Sequence, residues 1–143
     1  MNIKRINWLL AGDPNGGFPE YPGAAVTTEN ITYASVNDPT LTALKATLVY
    51  VTGATNLPVL ICGHGYHETV ADLNTVDNNL TRWARLGYFI LAVEGRGNNG
   101  SSGTQDDAGR ETMDVYDALQ YVITNHPDKI AADRVSLLGF SGG

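Results

Sequence analysis

Residues 135–143 have the sequence Val-Ser-Leu-Leu-Gly-Phe-Ser-Gly-Gly, a short apolar run followed by the pattern G-x-S-x-G. The apolar run predicts a buried strand, and Ser141 can leave the end of such a strand only on a very tight turn into a helix. Gly139 and Gly143 lack the Cβ atoms that would collide where the strand and the helix meet. The pattern therefore predicts a nucleophile elbow, a strained turn that projects the serine side chain out of the sheet.

Two further apolar runs without alternating polar residues precede this one, at 57–62 and 88–93. Such runs are typical of strands that are covered on both faces, as in a parallel sheet. The spacing of apolar residues predicts helices over 76–86 and 107–125, which fall between these strands. Strands that alternate with helices in this way form a parallel sheet with helices on both of its faces.

The part of the chain ahead of residue 57 has a different pattern. Residues 26–34 and 44–51 are rich in β-branched side chains and predict an antiparallel pair of strands, the first of them at the edge of the sheet. Residues 1–25 contain many Gly and Pro residues in their second half and predict an irregular arm. Because no repeat or linker divides the chain, we expect 1–143 to be a single α/β domain in which residues 26–143 form the sheet and its helices.

The composition limits the classes of partner. The formal net charge is −6 at pH 7, so we expect no nucleic-acid partner and no binding to an anionic membrane. No apolar run approaches the length of a membrane span, and the N-terminal residues lack a classical secretory signal. Cys62 is the single cysteine and cannot form a disulfide within the chain, which favours a reducing compartment. We therefore expect a soluble protein, with the cytoplasm as the best assignment.

The order of the predicted elements resembles that of the α/β-hydrolases, in particular the branch of dienelactone hydrolases, prolyl-oligopeptidase-like enzymes and acetyl esterases. The resemblance spans residues 26–143 and rests on three loops that each follow a predicted parallel strand. These loops are Gly63-His64-Gly65-Tyr66, Glu94-Gly95-Arg96-Gly97 and Gly139-Phe140-Ser141-Gly142-Gly143. The helix over 114–121, ahead of the last strand, is also similar to the helix that precedes the nucleophile in this family. The resemblance implies the N-terminal part of an α/β-hydrolase sheet, truncated at the nucleophile elbow.

The resemblance also implies roles for individual residues. Ser141 would be the nucleophile of a serine hydrolase that cleaves an ester or an amide through an acyl-enzyme. The backbone N–H groups of Gly142 and Tyr66 would stabilise the oxyanion, and His64 and Gly65 would support the loop that carries Tyr66. The common loop in lipases is His-Gly-Gly, and Tyr66 stands here in place of the second glycine.

The remaining members of the catalytic triad are expected elsewhere. In this family the acid and the histidine follow the nucleophile in chain order, so we expect both to lie outside residues 1–143 and expect this chain to be inactive alone. The expected substrate is a small-molecule ester or a peptide. We expect no cofactor and no metal, since His64 and His67 have no third ligand at a familiar spacing.

Two alternative functions remain open on the sequence. One is a non-catalytic remnant of the same fold that serves as an assembly subunit. The weaker one is nucleotide binding, because Gly95, Gly97 and Gly100 match the dinucleotide pattern G-x-G-x-x-G after a buried strand. Against it, residues 101–105 separate the pattern from the next helix, whereas a dinucleotide site needs the helix N-terminus at the motif. We expect Arg96 to anchor this loop by pairing with a carboxylate or with loop carbonyl groups.

Several aspartates lie at the start of the helix predicted over 107–125, and they could be mistaken for an acidic site. They are Asp106, Asp107, Asp114 and Asp117. Carboxylates near a helix N-terminus interact favourably with the helix dipole. We therefore expect a solvated acidic face here.

The last strand has consequences for assembly. A parallel-type apolar strand is expected to have strands on both sides and helices on both faces. In an isolated chain 1–143 one edge of this strand would be open, and a flat, apolar edge is an aggregation site. We therefore expect a second chain or a chain continuation to complete the fold, and expect residues 1–143 alone not to form a stable monomer.

Overall fold

The computed structural model of the protein describes residues 20–65, 67–75, 78–105 and 109–140. Its centre is a five-stranded sheet with the order β1-β2-β4-β3-β5. The strands are β1 (Val26–Tyr33), β2 (Leu44–Val51), β3 (Leu57–Gly63), β4 (Phe89–Val93) and β5 (Ile130–Gly139). The helices of the described residues are α1 (Val70–Leu73), α2 (Asn79–Arg85) and α3 (Arg110–Asn125). The mixed sheet with its helices confirms the predicted α/β class.

The two N-terminal strands form the predicted antiparallel pair. Their register runs from Val26 opposite Val51 to Tyr33 opposite Leu44, and β1 is the first strand of the sheet, as predicted. On its other side β2 pairs antiparallel with β4. The pair therefore extends the parallel part of the sheet at one edge.

The other three strands are parallel, and Gly63 of β3 lies opposite Val93 of β4 on one side and Gly139 of β5 on the other. Every residue of β4 is buried, as predicted for a strand covered on both faces. The connections between parallel strands must cross over the sheet, and helices provide them here. The carboxyl ends of all three strands consequently meet at one edge of the sheet.

Helices pack on both faces of the sheet. On one face, α3 buries Ala118 and Val122 in a cluster that includes Val59 and Leu91. On the opposite face, α1 and α2 bury side chains in a second cluster, whose members include Val70, Leu80, Ala84, Cys62, Ile90 and Ala92. Ile90 and Leu91 fall in different clusters because successive side chains of a strand point to opposite faces. Full burial of a side chain of this size contributes about 1.5–3 kcal/mol relative to exposure.

The helix boundaries differ in part from the predictions. The predicted helix over 76–86 corresponds to α2 (Asn79–Arg85), and the separate turn α1 precedes it. The predicted helix over 107–125 corresponds to α3, which ends at Asn125 as predicted. Val76, Asp77, Asp106, Asp107 and residues 1–19 of the predicted arm lie outside the described residues. The end of the arm is attached to α2, since the N–H of Tyr21 donates to the carbonyl oxygen of Arg85 at 2.7 Å.

The prediction that β5 is short and buried on both faces was wrong. The strand begins at Ile130 and bulges, because Ala131 pairs with Pro58 of β3 and the next partner, opposite Val59, is Val135. Its side chains alternate, so that Leu138 packs against the core while Leu137 is 76% exposed. The physical reason is position: β5 is the last strand of the described sheet, and α3 contacts β4 and β1.

The prediction of a solvated acidic face on α3 was also wrong for two of its residues. Asp114 and Asp117 are only 2% and 3% exposed. The carboxylate of Asp117 accepts hydrogen bonds from the Ser35 hydroxyl (2.7 Å), the Val36 N–H (3.0 Å) and the Asn37 side-chain amide (3.1 Å). It thereby attaches the β1–β2 connection to α3, because a buried carboxylate is stable only where hydrogen bonds replace its water.

Candidate active site

The candidate site lies at the edge where β3, β4 and β5 end. The chain leaves β3 at Gly63 and β5 at Gly139, which are direct neighbours in the sheet. The N–H of Phe140 donates to the carbonyl oxygen of Gly63 at 3.3 Å, so the first residues of G-x-S-x-G lie against the start of Gly63-His64-Gly65. Such an edge is the usual position of ligand sites in open α/β sheets.

Ser141, Gly142 and Tyr66, the predicted nucleophile and oxyanion donors, lie outside the described residues. The residue before the serine is described, and the ring of Phe140 stacks on that of Trp83, with centroids 6.2 Å apart and planes 12° from parallel. This contact attaches the end of β5 to α2. The site is therefore built here from the residues that flank the predicted catalytic groups.

His64 is buried and joins the loops that follow β3 and β4. Its Nε2 lies 3.1 Å from the N–H of Gly95, and its Nδ1 lies 2.9 Å from the carbonyl oxygen of Gly65. Because a backbone N–H can only donate, Nε2 is the acceptor, and in the neutral ring the proton is on Nδ1, which donates to Gly65. Both ring nitrogens are thus engaged with backbone groups.

Gly65 is held by a second residue, Glu68. The Gly65 N–H donates to Glu68 Oε2 at 2.9 Å, and the Glu68 N–H donates to the Gly65 carbonyl oxygen at 3.0 Å. A Cβ atom added to Gly65 would lie 2.6 Å from Glu68 Oε2, which is closer than real Cβ contacts allow. A side chain at position 65 would therefore displace the Glu68 carboxylate from its hydrogen bond with the backbone N–H of residue 65.

Glu94 follows the end of β4 and is buried, with 4% of the residue exposed. Its carboxylate accepts from the N–H of Val70 at 3.3 Å and from the side-chain amide of Asn99 at 3.4 Å. Glu94 Oε1 also lies 3.6 Å from His64 Nε2.

Arg96 and Asp114 attach the loop after β4 to α3. Arg96 Nε and Nη2 donate to the two carboxylate oxygens of Asp114, each at 2.7 Å, and Nη2 also donates to the carbonyl oxygen of Arg110 at 3.2 Å. This pairing confirms the prediction that Arg96 anchors the loop through a carboxylate. The two side chains are 5% and 2% exposed, so the pair is buried. Burial, with the charges of Asp114 and Asp117 adding to it, raises the pKa of the neighbouring Tyr33 well above its usual value.

The glycines of this loop do not have the geometry of a dinucleotide site. The N–H of Gly95 donates to His64, and that of Gly97 donates to the carbonyl oxygens of Ser101 and Ser102 at 3.2 and 3.1 Å. In addition, α3 begins only at Arg110. A dinucleotide site needs these amides and a helix N-terminus directed at the pyrophosphate, so the loop gives no support to the nucleotide-binding alternative.

A cavity of about 910 Å³ opens beside the candidate site, between the sheet and α3. Its walls include Gly63, Gly65, Val115, Leu119, Val135 and Leu137. Polar and charged side chains also line it, among them His64, Glu94 and Arg96, and the volume lies within the range of small-molecule sites. The cavity therefore joins the candidate site to the exposed side of β5.

The described residues contain neither a group of metal ligands nor a membrane-spanning helix. Over residues 20–65, 67–75, 78–105 and 109–140, no group of three or more His, Cys, Asp or Glu side chains is arranged to hold a metal ion. Within the same ranges, no helix has the length and apolar character needed to cross a bilayer.

Sequence reasoning identified the three loops but missed two of the residues that connect them. The contact of Arg96 was expected, but its partner Asp114 was assigned to a solvated face. Glu68 was not singled out in the sequence, although its position three residues after Gly65 is a signal for a side chain that accepts from the glycine N–H and closes a turn.

The sheet order, the two helix layers and the three loops at one edge define the class as an α/β-hydrolase fold. Solved structures agree with this fold. An esterase from Pyrobaculum calidifontis has a TM-score of 0.61 at 19% identity over 82% of this chain and 36% of that chain. A Pyrococcus furiosus esterase has a TM-score of 0.64 at 18% identity over 89% of this chain and 49% of that one. A bacterial heroin esterase has a TM-score of 0.62 at 21% identity, covering 92% of this chain and 38% of that one.

The family follows from the sequence. The model of the family described as X-Pro dipeptidyl-peptidase (S15 family) matches residues 40–143, and the chain belongs to this family. It is also 33% identical over 64 residues to the uncharacterized peptidase YtmA of Bacillus subtilis (strain 168), an alignment that covers 45% of this chain and 24% of that protein. The chain thus spans about a quarter of that relative and less than half of the solved esterase chains.

Proposed function

We propose that the protein is a serine hydrolase, or the part of one that carries its nucleophile, and that it cleaves ester or amide bonds through an acyl-enzyme at Ser141. One observation carries the proposal. The Phe140 N–H donates to the Gly63 carbonyl oxygen at 3.3 Å, which brings the G-x-S-x-G segment next to the loop expected to hold the second oxyanion donor. A nucleophile and an oxyanion donor on adjacent loops are what acyl transfer requires.

The reaction would proceed in two stages. Ser141 Oγ would attack the substrate carbonyl carbon while a base removes the hydroxyl proton, and the N–H groups of Gly142 and Tyr66 would stabilise the negative charge on the carbonyl oxygen. Collapse would break the bond to the leaving alcohol or amine, which takes up the proton. Water would then attack the acyl-enzyme by the reverse sequence and release the acid and the free serine.

The base is proposed to come from outside residues 1–143. His64 is unsuited to this task because its Nε2 already accepts the Gly95 N–H and its Nδ1 proton is donated to the Gly65 carbonyl oxygen. His126 is also unsuited because it follows α3 and precedes β5, which puts it at the end of the sheet opposite Gly139. We propose that the histidine and the acid of the triad follow Ser141 in the complete protein.

The family description and the structural neighbours suggest two substrate classes. The family is described as X-Pro dipeptidyl-peptidase, whereas the similar structures are called esterases. Both reactions use the same acyl-enzyme and differ in the leaving group. We propose an acyl substrate of modest size, with the acyl or the leaving group in the cavity beside Gly65.

The test is covalent labelling of the complete protein with a fluorophosphonate, read by intact mass and by mapping of the modified peptide. A single adduct on Ser141 that is absent in Ser141→Ala supports the proposal. Steady-state rates with p-nitrophenyl acetate and with Gly-Pro p-nitroanilide would then identify the preferred leaving group. If the wild-type protein takes up no probe while remaining folded, the proposal fails and the non-catalytic assembly subunit becomes the better explanation.

We further propose that additional protein structure, from a second chain or from a continuation of this one, covers β5 in the active enzyme. Leu137 is 76% and Val135 37% exposed, and both line the cavity between the sheet and α3. Covering these two side chains would add about 25 cal/mol per Å² of apolar surface removed from water. The same structure would close the pocket on the side of β5.

A further inference from the structure

The loop after β4 contains a tight turn with Asn99 and Gly100 at its centre. The N–H of Ser101 donates to the carbonyl oxygen of Asn98 at 2.7 Å and closes the turn. The φ angles of Asn99 and Gly100 are 44° and 77°, and two consecutive positive values match a type I′ turn, for which Asn-Gly is a preferred pair. Both central residues are exposed. The same pair is chemically labile, because glycine has no side chain to hinder attack of its nitrogen on the asparagine amide.

The reaction open to this pair is deamidation, which consumes only water. The Gly100 nitrogen loses its proton to hydroxide and attacks Cγ of the Asn99 side chain, which closes a succinimide ring. The bond between Cγ and the side-chain nitrogen breaks, and that nitrogen takes up a proton and leaves as ammonia. Water then adds to one of the two ring carbonyl carbons and breaks its bond to the ring nitrogen. The product is aspartate or isoaspartate.

Two features of the turn favour the reaction. Lys45 Nζ donates to the carbonyl oxygen of Asn99 at 3.2 Å, and this carbonyl belongs to the same peptide group as the Gly100 N–H. A cation at the oxygen stabilises the negative charge that the peptide group acquires when its nitrogen loses the proton. Within the described ranges the Gly100 N–H donates to no protein acceptor, so the attack requires no hydrogen bond of this group to be broken.

Deamidation would place a second carboxyl group beside Glu94. The Asn99 side-chain amide donates to Glu94 Oε2 at 3.4 Å, and Glu94 is buried. The product has a carboxyl oxygen in place of this donor, and two carboxyl groups that share a site disfavour each other's ionisation. In isoaspartate an additional main-chain CH2 would also lengthen the turn between Asn98 and Ser101. Both products therefore weaken the contacts of this loop.

We propose that Asn99 is a site of spontaneous deamidation in the folded protein, that Lys45 promotes the reaction there, and that the product destabilises the loop after β4. The proposal is independent of the hydrolase activity. The sequence has one other Asn-Gly pair, Asn15-Gly16, which lies outside the described residues and is a reference within the same molecule. Asn98 is the matched neighbour in the loop, because it is followed by asparagine instead of glycine.

The test incubates the complete protein in mildly alkaline buffer and follows conversion of each amide to the acid by peptide mapping with mass spectrometry. The same protein in urea gives the rate without the fold, and the incubation continues until its Asn99 has converted. Lys45→Met is expected to slow native conversion of Asn99 about two- to fivefold, the effect of one exposed charge, and to leave Asn15 unchanged. Lys45→Arg keeps the positive charge and should keep the rate. In urea all three proteins should convert Asn99 equally fast.

The consequence for the loop is tested with Asn99→Asp, which reproduces one product. It is expected to lower Tm by about 2–4 °C. Hydrogen exchange of amides in the loop after β4 should become about tenfold faster, while the amides of β4 keep their protection. Asn98→Asp is the control, because the Asn98 side chain donates to the backbone oxygen of Glu68 and not to Glu94, and its Tm should change by less than about 1 °C.

The outcomes decide each part of the proposal. Conversion of native Asn99 that is slowed in Lys45→Met and retained in Lys45→Arg supports it, whether or not Ser141 reacts with a fluorophosphonate. Native Asn99 that stays an amide while Asn99 in urea converts refutes it. Equal native rates in the wild type and Lys45→Met refute the role of Lys45. An unchanged Tm in Asn99→Asp refutes the effect on the loop.

Discussion

The buried pair between Arg96 and Asp114 is the contact whose loss should affect the molecule most. Asp114→Ala removes a carboxylate that accepts two hydrogen bonds at 2.7 Å from Arg96, a residue that is itself 5% exposed. The hydrogen bond from the Tyr33 hydroxyl goes to the backbone oxygen of Asp114 and is retained in the variant. The change therefore keeps that hydrogen bond and removes the Asp114 carboxylate from the buried Arg96 side chain.

The expected loss follows from the burial of both partners. Removal of one member of a buried ion pair costs about 3–5 kcal/mol, because the remaining charge keeps its desolvation penalty. The double variant Arg96→Met with Asp114→Leu removes both charges and is expected to recover most of this loss, since apolar residues of similar volume replace buried pairs at little cost. The two substitutions should therefore be strongly non-additive.

The assay is denaturant unfolding of the complete protein, followed by circular dichroism, with Asp133→Ala as the control. Asp133 is an exposed aspartate of β5, and its loss should change the free energy of unfolding by less than about 0.5 kcal/mol. A loss below about 1 kcal/mol in Asp114→Ala would refute the reasoning. So would a double variant whose loss equals the sum of the single losses, because it would show that the two side chains are not coupled.

Three other predictions concern single side chains. Burial raises the pKa of the Cys62 thiol to about 12. A chromogenic disulfide reagent at pH 8 should therefore modify Cys62 only as the protein unfolds, at the rate of unfolding. Fast modification of the native protein would contradict this prediction. Burial raises the pKa of Tyr50 to about 12, and the hydrogen bond with Glu29 and the charge of Glu29 contribute to this rise. Because the folded pKa lies above the unfolded value, the stability that Tyr50 contributes is fully present below about pH 10 and is lost as the pH rises toward 12. Tyr50→Phe should remove this alkaline loss of stability. An identical pH dependence of Tm in both proteins would count against the prediction. In the isolated chain 1–143, Leu137→Lys should shift the protein from aggregates to smaller species in size-exclusion chromatography, since a charge on an exposed strand blocks edge association. A clean wild-type monomer with a cooperative thermal transition would overturn the expectation that residues 1–143 alone do not form a stable monomer.

The parts of the fold that depend on local patterns could be predicted from the sequence. The bounds of β2 and the pairing of β1 with β2 follow from β-branched runs, and the complete burial of β4 follows from an unbroken apolar run. The position of the candidate site also followed, because parallel strands end at a common edge and each predicted strand was followed by a glycine-rich loop. These inferences need only neighbouring residues and the rules of sheet topology.

The errors involve partners that are distant in sequence. Asp114 and Asp117 have the spacing of a polar helix face, and only the fold brings them to Arg96 and Ser35. Burial of β5 depends on what covers its second face, which an apolar run cannot specify. The contacts of Glu68 with Gly65 are the local exception, because the spacing of three residues that signals them was overlooked. The roles of Ser141, Gly142 and Tyr66 stay predictions.

The strand order has a consequence for synthesis on the ribosome. β3 lies between β4 and β5, so one side of β3 stays without a partner until the chain has been made as far as Ile130. At the usual rates of translation the interval between Gly63 and Ile130 lasts about 3 to 13 s. During that time the nascent protein presents unpaired backbone N–H and C=O groups beside the apolar side chains of Val59 and Ile61, which is the kind of surface that chaperones bind. The sheet therefore assembles first on the side of β1 and β2. It is complete only when β5, the strand that leads to Ser141, has been translated.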